Sequence, residues 1–147
     1  MIRDAVLTDL GALTAVESAC FGGDAWSPAL VESELAGDSR SVLLACDDAD
    51  ILGYGSIALV DDVADLQRIA VLPGARRQGL GRELLQELLA KATGLGATRI
   101  LLEVAASNEP AIGLYESFGF APINRRRGYY ADGTDALVME RVLAEAA

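Results

Sequence analysis

One helical signal decides what kind of sheet this chain can build. Leu80, Leu84, Leu85, Leu88, Leu89, Ala92 and Leu95 recur with a helical period, which places them on one face of an α-helix. Gly79 and Gly81 open the segment, and Gly94 and Gly96 close it. Runs rich in aliphatic and β-branched residues stand on both sides, at 63–72 and 98–105. Strand, helix, strand in that order predicts a parallel crossover.

Upstream the connections are too short for crossovers. Strand-like runs at 41–46, 51–60 and 63–72 are joined by Asp47-Asp48-Ala49-Asp50 and by Asp61-Asp62, which predicts an antiparallel meander. Pro73-Gly74 stops the last run. A first strand is expected over 2–6. Thr8 then caps a helix carrying Leu10, Leu13, Val16 and Cys20, and Phe21-Gly-Gly-Asp breaks it. Ser27 caps a second helix with Pro28 at its first position, and Gly37 ends it. Beyond the crossover, 110–118 reads as a helix capped by Asn108. Segments 120–130 and 136–142 read as a hairpin about Asp132-Gly133. The expected fold class is α/β in the α+β mixed-sheet sense: antiparallel meander, one parallel crossover, C-terminal hairpin. No Pro/Ser-rich linker interrupts the 147 residues, so a single domain over 1–147 is expected.

Composition narrows the chemistry. The chain has no histidine, which removes Ser-His-Asp and Cys-His nucleophiles, His-ligated metals and imidazole acid–base catalysis. Cys20 and Cys46 lack CxxC spacing and stand among apolar neighbours. They read as buried reduced thiols, and no metal site is expected. Net charge is −10, unevenly spread: residues 1–65 hold 13 acidic side chains against Arg3 and Arg40, while the remainder holds nine acidic and ten basic ones. Nucleic acid is therefore not an expected partner. The apolar stretch 51–60 is too short to span a bilayer, and no signal-peptide pattern opens the chain. A cytoplasmic protein with no membrane partner is expected; a monomer is compatible with the sequence, which fixes no oligomeric state.

The segment Arg76-Arg-Gln-Gly-Leu-Gly-Arg82 lies at a strand-to-helix junction. Unpaired N–H groups and the helix dipole favour an anion there. Gly79 and Gly81 allow close approach to the main chain, and Arg76, Arg77 and Arg82 add formal charge. The plainer reading of the arginines is a solvated face. A P-loop is excluded because Leu80-Gly81 stands where Lys-Ser/Thr is needed. A dinucleotide fingerprint fails because Leu84 takes the third glycine position.

A second segment runs from Leu102-Glu-Val-Ala to Ser-Asn-Glu-Pro-Ala-Ile-Gly-Leu-Tyr-Glu-Ser-Phe-Gly-Phe120. Glu103 interrupts an apolar strand, where a charge needs a purpose or a partner. The plainer readings are a solvated strand face for Glu103, a helix cap for Asn108 and a core aromatic for Tyr115.

Taken together, Arg-x-x-Gly-x-Gly and Asn-x-x-Ala-Ile-x-Leu-Tyr-Glu-x-Phe-Gly-Phe resemble the GCN5-related N-acetyltransferases. With Glu103 upstream and Arg126-Arg127-Gly-Tyr-Tyr130 downstream, the string is similar to the ribosomal-protein-alanine N-acetyltransferase group of that family. Phe21, Ala25-Trp26-Ser27 and Asp135-Ala-Leu-Val-Met139 also fit. The insertion of Gly22-Gly23-Asp24 before Ala25 is a departure.

The resemblance implies direct transfer from acetyl-CoA to the N-terminal α-amine of a protein, above all the alanine of a small-subunit ribosomal protein. Glu103 would be the general base and Tyr115 the general acid. Asn108 would contact acetyl-CoA, and the main chain at Ile69, Ala70 and Val71 would pair with the pantetheine arm. Arg76, Arg77, Gln78, Gly79, Leu80, Gly81 and Arg82 would hold the pyrophosphate. Trp26, Tyr129 and Tyr130 are candidate walls for the acceptor peptide, or core aromatics. Arg126 and Arg127 would bind cofactor phosphate, orient the peptide or face solvent, the last two being favoured, and the sequence assigns Arg125 no role. Alternatives are transfer to lysine side chains or a small amine, and a coenzyme A-binding module without turnover.

Overall fold

The computed structural model describes residues 1–143; the last four residues of the expected domain lie outside them. Seven strands, β1 (Ile2–Asp4), β2 (Arg40–Asp47), β3 (Asp50–Val60), β4 (Val63–Val71), β5 (Arg99–Ala105), β6 (Ala121–Arg126) and β7 (Ala136–Val142), form one sheet. Their order is β1-β2-β3-β4-β5-β7-β6. The first four run antiparallel, β4 and β5 pair in parallel, and the remaining pairs are antiparallel. The expected mixed sheet with one crossover is what the chain builds.

Helices cover both faces. α3 (Leu80–Gly94) makes the crossover, and its Leu84, Leu85 and Leu88 are completely buried against Ile57, Ala64 and Ile100. α4 (Glu109–Ser117) packs at the edge of the same core through Ala111, Ile112, Leu114 and Tyr115. On the opposite face α1 (Leu10–Phe21) and α2 (Pro28–Ala36) bury Leu13, Val16 and Val31 against Val42, Leu44 and Tyr54. Ser27 caps α2 as expected, its Oγ accepting from the Leu30 N–H at 3.2 Å.

Local details depart from the sequence reading. Thr8 does not cap α1. A 3-10 turn over Leu7–Asp9 precedes that helix, and the Asp9 carboxylate accepts from Val6 N–H at 2.8 Å and pairs with Arg3 at 2.9 Å. The first strand ends at Asp4 rather than residue 6. The hairpin strand β6 ends at Arg126, not at 130. There the Asp135 carboxylate takes the Gly128 N–H at 2.8 Å and Arg125 Nε at 2.7 Å and turns the chain early. The second hairpin strand, not the first, lies beside β5. β7 carries the buried Ala136 and Met139, whereas every residue of β6 is exposed, so the apolar strand takes the inner slot. Cys20 and Cys46 are free but only half-buried.

Close packing of the central strands rests on glycine. A Cβ at Gly53 would lie 2.5 Å from the Ala70 carbonyl oxygen, a backbone atom that cannot step aside. Gly11, inside α1, has open space around it. Gly53→Ala should therefore lower unfolding free energy by about 1–3 kcal/mol. Gly11→Ala should raise it by roughly 0.5–1 kcal/mol. Urea unfolding of both variants checks the pair.

Candidate active site

The site begins with a defect in β4. Ile57 pairs with Leu66 and Ser56 with Arg68, so Gln67 is an extra residue. Such a β-bulge bends its strand and resets the alternation of its side chains. Leu66, Ile69 and Val71 all pack toward α3, while Ala70 packs toward α1. Arg68, shifted by the extra residue, also turns toward α1. β4 pairs with β5 only through Val63↔Arg99, Ala64↔Ile100 and Asp65↔Leu101. Beyond the bulge the two strands part, and the sheet opens.

This opening leaves main-chain groups of β4 unpaired by any strand. Ala70 stands opposite Tyr54, and the Leu72 N–H donates to the Leu52 carbonyl at 2.8 Å. Alternation then aims the peptide groups of Ala70 at β3 and those of Ile69 and Val71 into the gap. The expected pairing of Ala70 with a cofactor arm is corrected accordingly: Ile69 and Val71 carry the free edge. The Val71 carbonyl already accepts from Arg76 Nε at 2.9 Å and from Cys20 Sγ at 3.4 Å.

The start of α3 lies next to this edge. Gly79 is left-handed at φ +82° and offers no capping side chain. The first helical bond runs from Glu83 N–H to the Gly79 carbonyl at 3.0 Å, so the N–H groups of Leu80, Gly81 and Arg82 have no partner within the helix. Arg77 also sits at positive φ, +66°, a conformation costly for a non-glycine residue. Arg82 is held over the Phe118 ring at 5.0 Å and donates to Ser117 Oγ at 3.3 Å, which ties the loop to α4.

A cleft of about 670 Å³ runs from Ile69, Ala70 and Val71 past Arg76, Arg77, Gly79, Leu80, Gly81 and Arg82 to Asn108 and Tyr115. Gln78 is not among its lining residues; it borders a separate hollow with Asp47 and Pro73. A free strand edge beside uncapped N–H groups and arginines suits an elongated ligand ending in a pyrophosphate. The residues present therefore fit acetyl-CoA. Asn108 serves as a cap, its Oδ1 accepting from Ala111 N–H at 3.3 Å, yet it also lines the cleft. Tyr115 contacts the edge of Phe120 with ring centroids 5.8 Å apart. Burial, and secondarily Tyr130, push its hydroxyl above the ordinary tyrosine range.

A second cleft of about 550 Å³ opens on the other side of the gap, lined by Asp65, Arg68, Glu103, Arg126, Tyr129 and Tyr130 among others. Glu103 projects from the face of β5 opposite Leu102 and Val104, which are core residues. Arg126 Nη2 lies 3.6 Å from its Oε1 and stacks 5.3 Å from the Tyr129 ring. The insertion of β7 between β5 and β6 creates this pairing. Burial first, then Glu103, pushes the Asp65 carboxyl upward. Burial, then Glu103, does the same to the Tyr130 hydroxyl. A passage of about 260 Å³ joins the two clefts, with Glu103, Asn108, Tyr115 and Tyr130 along it. The structure thus brings Glu103 and Tyr115 to one passage, with Tyr129 and Tyr130 at its outer mouth.

Trp26 is placed differently. It borders none of these clefts and packs beneath the Arg68 guanidinium, 4.7 Å from the ring centroid. Arg68 belongs to a buried polar group that the sequence reading missed. It donates from Nη2 to Glu17 Oε1 at 2.8 Å and from Nε to Oε2 at 3.1 Å. Tyr54 hydroxyl and the Trp26 N–H also donate to the Glu17 carboxylate. Burial alone would raise the Glu17 carboxyl, but the Arg68, Tyr54 and Trp26 donors outweigh it and hold it below the ordinary range. The available signal was Glu17 itself, an acid four residues after Leu13 on the apolar face of its helix.

Residues 11–120 match the Acetyltransferase (GNAT) family. The ribosomal protein bS18-alanine N-acetyltransferase of Escherichia coli is 49% identical over 84 residues, covering 55% of this chain and 57% of that protein. The N-alpha-acetyltransferase RimI of Mycobacterium tuberculosis is 36% identical over 125 residues, covering 82% and 77%. The crystal structure of the Escherichia coli ribosomal-protein-S18-alanine N-acetyltransferase is similar at TM-score 0.93 and 35% identity, over 100% of this chain and 96% of that one. The chain belongs to the GNAT family of acetyltransferases.

Arg77→Ala should weaken acetyl-CoA binding about tenfold, through loss of a charge beside the uncapped helix start. Calorimetric titration of the cofactor checks this; affinity within twofold of the unaltered protein would remove Arg77 from the anion cradle.

Proposed function

We infer that this protein transfers the acetyl group of acetyl-CoA to the N-terminal α-amine of a protein, and that the acceptor is the N-terminal alanine of a small-subunit ribosomal protein. The observation that carries the reading is the passage between the two clefts, with a carboxylate and a half-buried phenol along it. The relatives' names supply the acceptor.

Acetyl-CoA supplies the acetyl group as a thioester, and this chain supplies position and proton transfer. The free edge at Ile69 and Val71 and the start of α3 fix one reactant, while Tyr129 and Tyr130 border the approach of the other. Holding two reactants in line removes much of the entropic barrier of a bimolecular step. Glu103 takes up the proton that the amine releases on attack, directly or through water. A free α-amine has a pKa of about 7.7–8.0, so part of it is neutral at neutral pH and a carboxylate suffices as base. Tyr115 donates a proton to the departing sulfur. Its raised pKa keeps it protonated through the working range. Arg126 pairs with Glu103 from the acceptor-cleft side. Among the described residues no helix is long and apolar enough to cross a membrane.

Glu103→Gln and Tyr115→Phe should each lower kcat about a hundredfold or more, with acetyl-CoA affinity unchanged. Because Tyr115 must lose a proton to fail as an acid, and its pKa is raised, kcat should stay level from pH 8 to pH 9.5. A decline in that window abolished by Tyr115→Phe would contradict its protonated role. Thiol release against peptides with free or blocked N-termini, varied first residues and internal lysines tests the acceptor. Transfer to free N-terminal alanine is expected, and transfer confined to lysine side chains would overturn the α-amine reading.

A further inference from the structure

The Glu17–Arg68 pair has more contacts than a structural ion pair needs, and most of those beyond the pair itself converge on one turn. Glu17 is completely buried, and Arg68 keeps its side chain one-fifth exposed in the acceptor cleft. The guanidinium lies 3.7 Å over the Phe21 ring and 4.7 Å over Trp26. Its Nη2 also donates to the Asp24 carbonyl at 3.3 Å. Glu17 fixes the far end of the same turn by accepting the Trp26 N–H at 2.8 Å. The turn includes Gly22-Gly23, the first of them at positive φ, and a di-glycine turn has little stiffness of its own. Phe21, held by Arg68, borders the passage between the clefts. Arg68 also directly precedes Ile69, whose peptide groups face the cofactor gap.

We propose that Arg68, anchored on buried Glu17, is a positioning residue that holds the 21–26 turn in place and through it sets Phe21 as the wall along which the acceptor peptide reaches the passage. The proposal rests on the acceptor reading above. A planar guanidinium suits this role: it bonds a carboxylate in its plane while stacking on rings with its faces. The Gln67 bulge is what makes it available, since regular alternation would turn Arg68 toward α3. Loosening the turn should raise the KM for the acceptor, because the wall no longer waits in place. Phe21 also lines the cofactor cleft, but the Ile69 and Val71 edge and the start of α3 stay in place, so the KM for acetyl-CoA should rise far less than that for the acceptor.

Removing Arg68 alone would leave the buried Glu17 carboxylate uncompensated and lower stability. The informative variant is therefore Glu17→Gln/Arg68→Met, which removes both charges and keeps the Tyr54 and Trp26 hydrogen bonds possible. It is compared with Arg68→Lys and with the unaltered protein, using a peptide with a free N-terminal alanine and acetyl-CoA. The expected result for the double variant is a thermal midpoint close to that of the unaltered protein. Its acceptor KM should be about tenfold higher, with kcat and the acetyl-CoA KM within twofold. Arg68→Lys, which keeps the charge but not the stacked fork, should fall between. Trp26 is the sole tryptophan, so its emission reports the turn without turnover, and it should become more accessible to acrylamide in the double variant. An unchanged acceptor KM, or parallel rises in both KM values, would overturn the positioning role. If the unaltered protein acetylates some other amine and no N-terminus, the acceptor reading falls. The KM split measured on that amine, with Trp26 quenching, then decides the positioning role separately.

Discussion

The site depends on β4 leaving β5 after three paired residues. A fully zipped parallel pair would satisfy its own peptide groups and close the sheet. The extra residue at Gln67 bends β4 away and frees the edge at Ile69 and Val71. The clefts sit around that opening, with the uncapped start of α3 on one side and Glu103, Tyr129 and Tyr130 on the other. The cost is a buried, partly unzipped sheet. It is offset by the crossover core, where α3 packs three completely buried leucines across β3, β4 and β5.

The same bulge sets the electrostatics. It turns Arg68 to the α1 face, where Glu17 would otherwise be an uncompensated buried carboxylate of the kind proteins rarely tolerate. The group formed by Glu17, Arg68, Tyr54 and Trp26 satisfies that charge with donors from α1's own loop, β3 and β4. On the other side of the gap, Arg126 partly neutralises Glu103 from a strand that is not its sequence neighbour. Arg68 and Arg126 of the acceptor cleft are thus each paired with a carboxylate on another element, which stiffens the cleft.

Much of this arrangement was legible in residue patterns. The period of the leucines in α3, the short acidic turns of the meander and the Ser27-Pro28 start of α2 each act through local geometry. Each appears where expected. The uncapped, glycine-rich helix start was equally legible, because Gly79, Gly81 and the flanking arginines stand within six residues of one another. Thr8 misled because its neighbour Asp9 takes the Val6 N–H and pairs with Arg3, contacts that a simple cap pattern does not anticipate. The sequence leaves Trp26 open between a peptide wall and a packed aromatic, because an aromatic near a loop does not say which ring face is occupied; Arg68 stacks on it.

The sequence by itself determined the element types, the crossover, the glycine-rich helix start, and the placing of Glu103 on a strand and Tyr115 on a helix. These follow from periodicity and turn chemistry, which are short-range. Tertiary structure alone decided that β7 slips between β5 and β6, that Ile69 and Val71 rather than Ala70 offer their peptide groups, and that Arg68 meets Glu17. A bulge shifts side-chain alternation by one residue, and strand order is set by which strand buries more apolar surface. Neither quantity exists until the strands have been brought side by side.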